Sequence, residues 1–285
     1  MKNDTIPTGV FGQTGQKVTR IGLGGEGVLR TYGKSGQARE VIQEAITRGI
    51  TYFDSAQAYA GSERYYGSIW TGSPEMRSRI FQASKSASRH KEDALADLQN
   101  TLRNMGTSYL DLWQIHDVRT EEDLRIISGP GGALEAFLEA KSSGKVRFVG
   151  VTGHHDPEIL TRAVEDWPVD SVMIPVNPVE GVFGGFLTST LPAANKKGIA
   201  IIGMKILGAS HYLQPRLGIT AEVLIRFALS QAISVAIVGC SNASEVKTLA
   251  DAGRSFNPLS VKEETELIER LEPHARRLAF YRGVL

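Results

Sequence analysis

The chain has 285 residues, of which 41% are hydrophobic and 22% are charged, as is usual for soluble globular proteins. Its 32 Lys and Arg residues balance 31 Asp and Glu residues, and the formal charge of +1 excludes a strong overall attraction to nucleic acid or to an anionic membrane. No apolar segment approaches the roughly 20 residues that span a bilayer, and residues 1–16 lack the apolar stretch of a signal peptide. The single cysteine, Cys240, excludes an internal disulfide, so a cytoplasmic protein is expected.

The predicted elements begin with a hairpin. Residues 10–19, VFGQTGQKVT, predict two short strands that turn at Thr14-Gly15. Short β-branched segments then alternate with helical segments of roughly ten to fifteen residues. The predicted strands occupy residues 19–24, 50–54, 79–84, 109–116, 146–152, 170–175, 198–204 and 234–239. The predicted helices occupy residues 38–50, 61–70, 91–104, 132–143, 156–166, 186–197, 220–231 and 243–253.

This alternation predicts a single domain, residues 1–285, with the α/β architecture of a (β/α)8 TIM barrel. In AREVIQEAITRGI (38–50) the apolar side chains recur every three or four residues, which is typical of a helix with one buried face. We predict that the N-terminal β-hairpin is a plug that closes the bottom of the barrel. A doubly wound open sheet is the alternative, but GLGGEG (22–27) lacks the glycine spacing and the later acidic residue of a dinucleotide-binding fingerprint.

Ionisable side chains follow three consecutive predicted strands. Asp54 ends the second strand and Tyr59 comes five residues later, while Lys85 and His116 end the third and fourth strands. Each of them alone has an ordinary explanation as a turn residue, a solvated charge or a core group. Because barrel enzymes carry their catalytic residues at the carboxyl ends of the strands, we predict that these four side chains form one site.

The four side chains suit proton transfer to a carbonyl oxygen. We expect Lys85 to lower the pKa of the Tyr59 phenol, ordinarily near 10, so that Tyr59 acts as a general acid. Asp54 supplies the counter-charge for Lys85, and His116 donates a ring N–H to the substrate oxygen. Since none of these groups donates a hydride, a cofactor is required.

Several segments resemble those of the aldo-keto reductase family, in the same order and along nearly the whole chain. The segments are FGQTGQKVTRIGLGG (11–25), FDSAQAYAGSE (53–63), QASK (82–85), QIHD (114–117), KVRFVGVTG (145–153), LIRFALSQ (224–231) and IVGCSNASEV (237–246). The resemblance implies an NAD(P)H-dependent reductase that interconverts an aldehyde or ketone and its alcohol. It also implies that Asp54, Tyr59, Lys85 and His116 are the catalytic tetrad.

The resemblance further implies which residues hold the cofactor. Thr152 and Gly153 stand where the family usually has Ser-Asn for the carboxamide, and Asn177 replaces a Gln. Met204 falls where many members stack an aromatic ring on the nicotinamide, and a thioether also packs on a ring face. The predicted cofactor-binding residues are Gly25, Thr152, Gly153, Asn177, Met204, Lys205, Leu207, Gly208, Gly239, Ser241, Asn242 and Glu245.

The segment after the eighth strand bears on the choice between NAD(H) and NADP(H). Family members that prefer the 2′-phosphorylated cofactor usually carry basic residues there, whereas this chain reads Gly239-Cys240-Ser241-Asn242 and has Glu245. Glu245 would repel a phosphate and could accept bonds from a free ribose. Ser241, Asn242 and the start of the next helix can still donate to a phosphate, and Lys247 is near. We expect NAD(H) to be used at least as well as NADP(H).

Loop residues give the remaining predictions. The predicted partner is a small-molecule carbonyl compound or alcohol, and the predicted pocket-lining residues are Tyr32, Val118, Phe183 and Tyr212. No metal is expected, since the adjacent His154 and His155 point apart and no further ligands have metal spacing. The alternative function is a nicotinamide-binding redox sensor or auxiliary subunit with little turnover. The surface helices show no clear apolar seam, so the oligomeric state stays open, with a monomer as the starting assumption.

Overall fold

The computed structural model describes residues 5–285 and contains a closed barrel of eight parallel strands, preceded by a two-stranded antiparallel sheet. The strands are β1 (Thr8–Val10), β2 (Lys17–Thr19), β3 (Ile21–Gly27), β4 (Tyr52–Phe53), β5 (Phe81–Ser86), β6 (Leu110–Ile115), β7 (Val146–Thr152), β8 (Ser171–Pro175), β9 (Ala200–Met204) and β10 (Val235–Cys240). Strands β3 to β10 follow one another around the barrel, and β10 closes it against β3. The predicted (β/α)8 architecture is confirmed.

The hairpin β1–β2 closes one end of the barrel. Phe11, between the two strands, is fully buried, and its ring centroid lies 4.8 Å from that of Phe81 and 6.0 Å from that of Tyr52. Tyr52 and Phe81 are the first residues of β4 and β5, so Phe11 sits at the amino ends of the strands. The predicted plug is therefore confirmed.

The inside of the barrel changes from apolar at the plug to polar at the carboxyl ends of the strands. The apolar layer consists of Phe11, Val18, Tyr52, Phe81, Ala83, Leu112, Met173, Ala200, Ile202, Val235 and Ile237. Side chains two residues apart on a strand share a face, so Lys85 follows Ala83 and Asp54 follows Tyr52 on the inner face. The charged groups thus lie directly above a water-excluding layer.

Helices cover the outside of the barrel. They are α1 (Ser35–Thr47), α2 (Ser62–Trp70), α3 (Pro74–Ser78), α4 (Lys91–Met105), α5 (Glu121–Ser128), α6 (Ala133–Ser142), α7 (Pro157–Asp166), α8 (Pro178–Phe183), α9 (Leu191–Lys197), α10 (Ala221–Ser230), α11 (Ala243–Arg254), α12 (Val261–Leu271) and α13 (Ala275–Leu278). In α1 the buried residues recur at the spacing that the sequence predicted. Among residues 5–285 no helix combines the length and apolar character needed to span a bilayer.

Helices α3, α5, α8 and α12 were not predicted. The signals for two of them lie in their caps: Thr120 accepts a hydrogen bond from the Asp123 amide at the start of α5, and Ser260 forms a capping box with Glu263 at the start of α12. Helix α12 packs on α8, where a Cβ at Gly181 would come within 2.6 Å of an Ile268 side-chain carbon. The predicted helix 186–197 is a five-residue π-helical segment followed by α9.

Helices α2 and α4 approach each other at Gly67, where a Cβ would lie 2.0 Å from the Asn104 carbonyl oxygen. We expect Gly67→Ala to lower the free energy of unfolding by about 1–3 kcal/mol, because the helices must separate to admit the methyl group. Gly36 is the control, since a Cβ added there would have no other atom within 4 Å. Gly36→Ala should leave stability unchanged or raise it by up to about 1 kcal/mol in urea unfolding. Equal effects of the two substitutions would contradict this packing.

Candidate active site

The carboxyl ends of β4, β5 and β6 bring the four predicted catalytic side chains together. Asp54 directly follows β4, Lys85 is the fifth residue of β5, and His116 directly follows β6. The pairing of β5 with β6 brings Lys85 and His116 to the same level of the barrel. Ser86 pairs with Ile115, and the His116 amide donates to the Ser86 carbonyl over 2.8 Å. Tyr59 comes from the loop between β4 and α2, and its ring centroid lies 5.8 Å from the His116 ring.

A buried ion pair forms the base of the site. The Lys85 Nζ donates to Asp54 Oδ2 over 2.6 Å and to the Ser55 carbonyl over 2.7 Å. Both side chains are almost fully excluded from solvent, at 1% and 2% exposure. Burial raises the pKa of Asp54 and lowers that of Lys85, and in both groups the ion pair opposes the effect of burial. The pairing keeps two charges in a position where either alone would be strongly unfavourable.

Tyr59 packs between Gly25 and the lysine. Lys85 Nζ lies 4.9 Å from the centroid of the Tyr59 ring, and a Cβ at residue 25 would come within 2.5 Å of that ring. Gly25, predicted to contact the cofactor, therefore leaves the space that the phenol occupies. Among residues 5–285 the Tyr59 ring contacts His116 and Lys85 but its hydroxyl forms no hydrogen bond, so its donor and acceptor positions are available to a bound molecule.

The pKa of Tyr59 lies well above its ordinary value, which is opposite to the predicted direction. Burial is the main cause, and the carboxylates of Asp54 and Glu26 add to it. Lys85 does not overcome these effects because its ammonium is already paired with Asp54. Tyr59 is therefore protonated at neutral pH.

His116 is neutral at physiological pH. Burial, reinforced by the nearby Lys85 charge, lowers the pKa of His116 to about 3. Arg89 holds the backbone here, donating to the carbonyls of His116 and Asp117 over 2.8 Å each. A neutral imidazole carries one N–H donor, so His116 can donate one hydrogen bond without adding a positive charge.

Thr152 and Gly153 end β7 beside this group. The Thr152 Oγ1 accepts a hydrogen bond of 2.9 Å from the Asp117 amide, which leaves its own O–H free to donate. A Cβ at Gly153 would come within 2.9 Å of the Val118 carbonyl oxygen, so no larger residue fits there. His154 follows, with Nδ1 3.0 Å from the Tyr281 carbonyl, and its proton must lie on Nδ1 because a carbonyl only accepts.

Asn177 has a structural role that the sequence did not indicate. Its Nδ2 donates to the Lys205 carbonyl and to the Tyr281 hydroxyl, and its Oδ1 accepts the Glu180 amide at the start of α8. The side chain is fully buried. Both N–H donors of Asn177 are therefore in use, whereas Oδ1 keeps a second acceptor position that a cofactor carboxamide could use.

The segment after β9 contains a half-buried cation. Lys205 adopts a left-handed backbone with φ of 58°, which is uncommon for a residue with a side chain. Its ammonium forms no ion pair within residues 5–285, and burial lowers the pKa of Lys205. Met204 lies on the inner face of β9 and Leu207 is half-buried, whereas buried Gly208 packs directly against the Tyr212 ring.

In the segment after β10, the Glu245 carboxylate occupies the hydrogen-bond donors of Ser241 and Asn242. Glu245 accepts hydrogen bonds from the Ser241 amide (2.7 Å) and from Asn242 Nδ2 (3.1 Å), and the Asn242 side chain caps α11. Lys247 pairs with Asp251 over 2.7 Å and is not directed to this position. Gly239 packs directly against Glu26, and only glycine fits there, since a Cβ at residue 239 would lie 2.5 Å from the Glu26 Cβ.

The predicted pocket-lining residues are dispersed in the structure. Tyr32 is 79% exposed, whereas Val118 and Tyr212 are fully buried. Tyr212 donates its hydroxyl to the Leu278 carbonyl and therefore anchors the loop after β9 to the C-terminal segment. Phe183 is half-buried beneath the Arg282 guanidinium. The pocket-lining role of these four residues stays a prediction, because loop positions cannot be read from strand periodicity.

Two groups at the barrel mouth were missed. Arg30 lies over the Tyr59 ring, with Cζ 5.1 Å from the centroid, and pairs with Glu26 over 2.7 Å. On the opposite side the C-terminal segment is fixed through Glu180, which accepts the Tyr281 hydroxyl at 2.6 Å and pairs with Arg282. No periodic pattern marks these residues, and only the position of Glu26 after a glycine-rich strand end would have drawn attention to it.

Lys85→Met should lower the free energy of unfolding by about 3–5 kcal/mol, because Asp54 is left buried without its partner. The loss should shrink as the pH falls. With a raised pKa, folded Asp54 takes up a proton that the unfolded chain does not bind, and protonation then favours the folded state. Lys141→Met, in the more exposed Lys141–Asp170 pair (36% and 22% exposure), is the matched control and should cost less, about 1 kcal/mol. Similar losses in both variants by urea unfolding would contradict this account of the pair.

The comparisons with known proteins place these features in a family. The family model for the aldo/keto reductase family matches residues 20–217. An L-galactose dehydrogenase of Arabidopsis thaliana is 26% identical, and the match covers 92% of this chain and 93% of that protein. An aldo-keto reductase of Bacillus halodurans, solved in its holo form, superposes with a TM-score of 0.76 at 19% identity and 98% coverage of both chains. One from Klebsiella pneumoniae, solved with NADPH, has a TM-score of 0.74 at 22% identity, covering 94% of this chain and 96% of its own.

Proposed function

Because the chain belongs to the aldo/keto reductase family, we propose that it reduces an aldehyde or ketone to an alcohol, or catalyses the reverse reaction, with Tyr59 as general acid or base. The observation that carries the proposal is the convergence of Tyr59, Lys85, Asp54 and His116 at one end of the barrel. When bound, a nicotinamide cofactor supplies the hydride that these side chains cannot provide. Solved relatives that contain NADPH support this choice of cofactor.

Tyr59, His116 and Lys85 have different roles in binding the carbonyl oxygen and in proton transfer. The Tyr59 hydroxyl and the neutral His116 ring both lack hydrogen-bond partners within residues 5–285, so together they can hold a carbonyl oxygen from two directions. The high pKa of Tyr59, caused mainly by burial, keeps the proton in place until negative charge develops on that oxygen. The Lys85 ammonium lies 4.9 Å from the centroid of the Tyr59 ring, and its pairing with Asp54 keeps both charged groups beside the phenol.

The other predicted residues fit a nicotinamide dinucleotide in part. The free Thr152 O–H suits the carboxamide, and Met204 on the inner face of β9 suits the face of the nicotinamide ring. The unpaired Lys205 ammonium suits the pyrophosphate. Asn177 fits only as an acceptor, because both of its N–H donors are used by the Lys205 carbonyl and the Tyr281 hydroxyl.

Tyr59→Phe should leave cofactor affinity close to that of the native protein and lower kcat by about 10²–10⁴-fold, the usual effect of losing a general acid. Tyr109→Phe, at the amino end of β6, is the control and should retain activity. Cofactor affinity is measured by the quenching of tryptophan fluorescence, and kcat by the absorbance of the reduced cofactor. Unchanged turnover in Tyr59→Phe would remove Tyr59 from the mechanism.

The second candidate function is a redox sensor or auxiliary subunit that binds the cofactor with little turnover. It draws support from the high pKa of Tyr59, which burial causes and which makes proton release difficult. Purified protein is screened against a panel of aldehydes and ketones with NADH and with NADPH. Tight cofactor binding without turnover of any compound would favour the sensor, whereas turnover that requires Tyr59 would favour the reductase.

We also propose that NAD(H) is used at least as well as NADP(H). The Glu245 carboxylate already accepts the donors that a 2′-phosphate would need, the Ser241 amide and the Asn242 side chain. A phosphate placed there would meet a negative charge. Lys247 does not compensate, since it pairs with Asp251.

Glu245→Gln should raise the ratio of kcat/KM for NADPH over that for NADH by about 10-fold or more, since one charge repulsion is removed. Glu263→Gln is the control, because Glu263 caps α12 through Ser260 in the same way. It should leave the ratio unchanged. A native preference for NADPH of more than about 100-fold, roughly 2.7 kcal/mol, would overturn the cofactor assignment.

A further inference from the structure

An ion pair borders the phenol that the proposed reaction uses. Glu26 lies near the end of β3, and Arg30 ends the short turn Val28–Arg30 that follows. Arg30 NH1 donates to Glu26 Oε1 over 2.7 Å, and the guanidinium lies 5.1 Å from the Tyr59 ring centroid. The pair therefore borders the Tyr59 ring at a solvent-exposed position, where a bound molecule can contact it.

The backbone holds the pair in place. Gly27 adopts a φ of 71°, and a Cβ there would come within 2.6 Å of the Cys240 carbonyl oxygen. The Thr31 hydroxyl donates to the Gly27 carbonyl over 3.1 Å. Gly239, on the next strand, packs directly against the Glu26 backbone and Cβ. Close contact between β3 and β10 thus fixes the backbone position of Glu26.

The pair has more hydrogen-bonding capacity than it uses. The Arg30 and Glu26 side chains are 50% and 48% exposed, and an exposed pair of this spacing contributes little to stability. Of the five N–H donors of a guanidinium, Arg30 places one on a side chain within residues 5–285, and Glu26 Oε2 accepts none there. Donors and acceptors therefore remain free beside the Tyr59 ring.

These properties point away from two substrate classes. The Glu26 charge offsets that of Arg30, so the pair gives a carboxylate substrate no net attraction. An apolar or aromatic substrate would cover the free donors and acceptors without bonding them, which is costly. Hydroxyl groups both donate and accept, and they match the pair.

We propose that Glu26 and Arg30 determine substrate specificity and select a polyhydroxylated carbonyl compound of the aldose or hydroxyketone class, whose hydroxyls bind the pair while its carbonyl oxygen meets Tyr59 and His116. The inference rests on the proposed reductase function. Each of the two residues acts by binding substrate, and neither takes part in proton transfer.

The test compares three four-carbon aldehydes that differ in polarity: erythrose, butanal and succinate semialdehyde. kcat/KM is measured for each with the native protein, Glu26→Leu and Arg30→Met, using both reduced cofactors. Methionine removes the guanidinium while keeping an unbranched side chain at this position. Glu44→Leu, which breaks the Glu44–Arg48 pair of the same spacing in α1, is the matched control.

We expect the native protein to prefer erythrose. Both Glu26→Leu and Arg30→Met should lower the ratio of kcat/KM for erythrose over butanal by about 10- to 100-fold, as for the loss of a charged hydrogen bond. Glu26→Leu should also favour succinate semialdehyde over butanal, because Arg30 then carries an uncompensated charge. Glu44→Leu should leave every ratio at the native value.

The specificity role of Glu26 and Arg30 would be overturned if both variants turn over butanal and keep the kcat/KM ratio of erythrose over butanal within about threefold of the native value. The proposed reductase function would then remain intact. A native preference for butanal or succinate semialdehyde would overturn the substrate class. Cofactor binding with no turnover of any of the three aldehydes would contradict the proposed function and this inference with it.

Discussion

Inside the barrel the Lys85 ammonium lies 2.6 Å from the Asp54 carboxylate, and both side chains are shielded from water. Charges of this kind are stable only in the presence of each other, so the spacing of β4 and β5 is part of the active site. The apolar layer around Phe11, Tyr52 and Phe81 excludes water from below. The plug and the ion pair therefore depend on each other, since an open barrel would hydrate the charges that position Tyr59.

The same pairing sets the proton chemistry. Because Lys85 is neutralised by Asp54, it does not lower the pKa of Tyr59, and burial together with the carboxylates of Asp54 and Glu26 raises it. Burial also keeps His116 neutral, with a pKa of about 3. The structure thus places two uncharged side chains, Tyr59 and His116, beside a compensated ion pair, and in the proposed reaction they would bind a neutral carbonyl and stabilise charge as it develops on its oxygen.

Two carboxylates, Glu245 and Glu26, offset positive or hydrogen-bond-donating groups near the carboxyl ends of the strands. Glu245 satisfies the donors at the start of α11, and Glu26 compensates the guanidinium beside Tyr59. Each reduces the attraction of the site for an anion, a phosphate in one case and a substrate carboxylate in the other. The C-terminal segment packs on the barrel after β8, where Tyr281 and Arg282 both bind the buried Glu180. The Tyr281 hydroxyl also accepts a hydrogen bond from the Asn177 amide.

The sequence by itself determined the barrel, the plug, the family and the four side chains at adjacent strand ends. Each follows from periodicity or from position at a strand end, and parallel strands bring such positions together. Tertiary structure decided the rest. The direction of the Tyr59 pKa shift depends on burial and on Lys85 being paired, while Tyr212 and Asn177 are positioned by hydrogen bonds to the distant C-terminal segment. The Arg30 stack on Tyr59 likewise arises from contacts that no local pattern encodes.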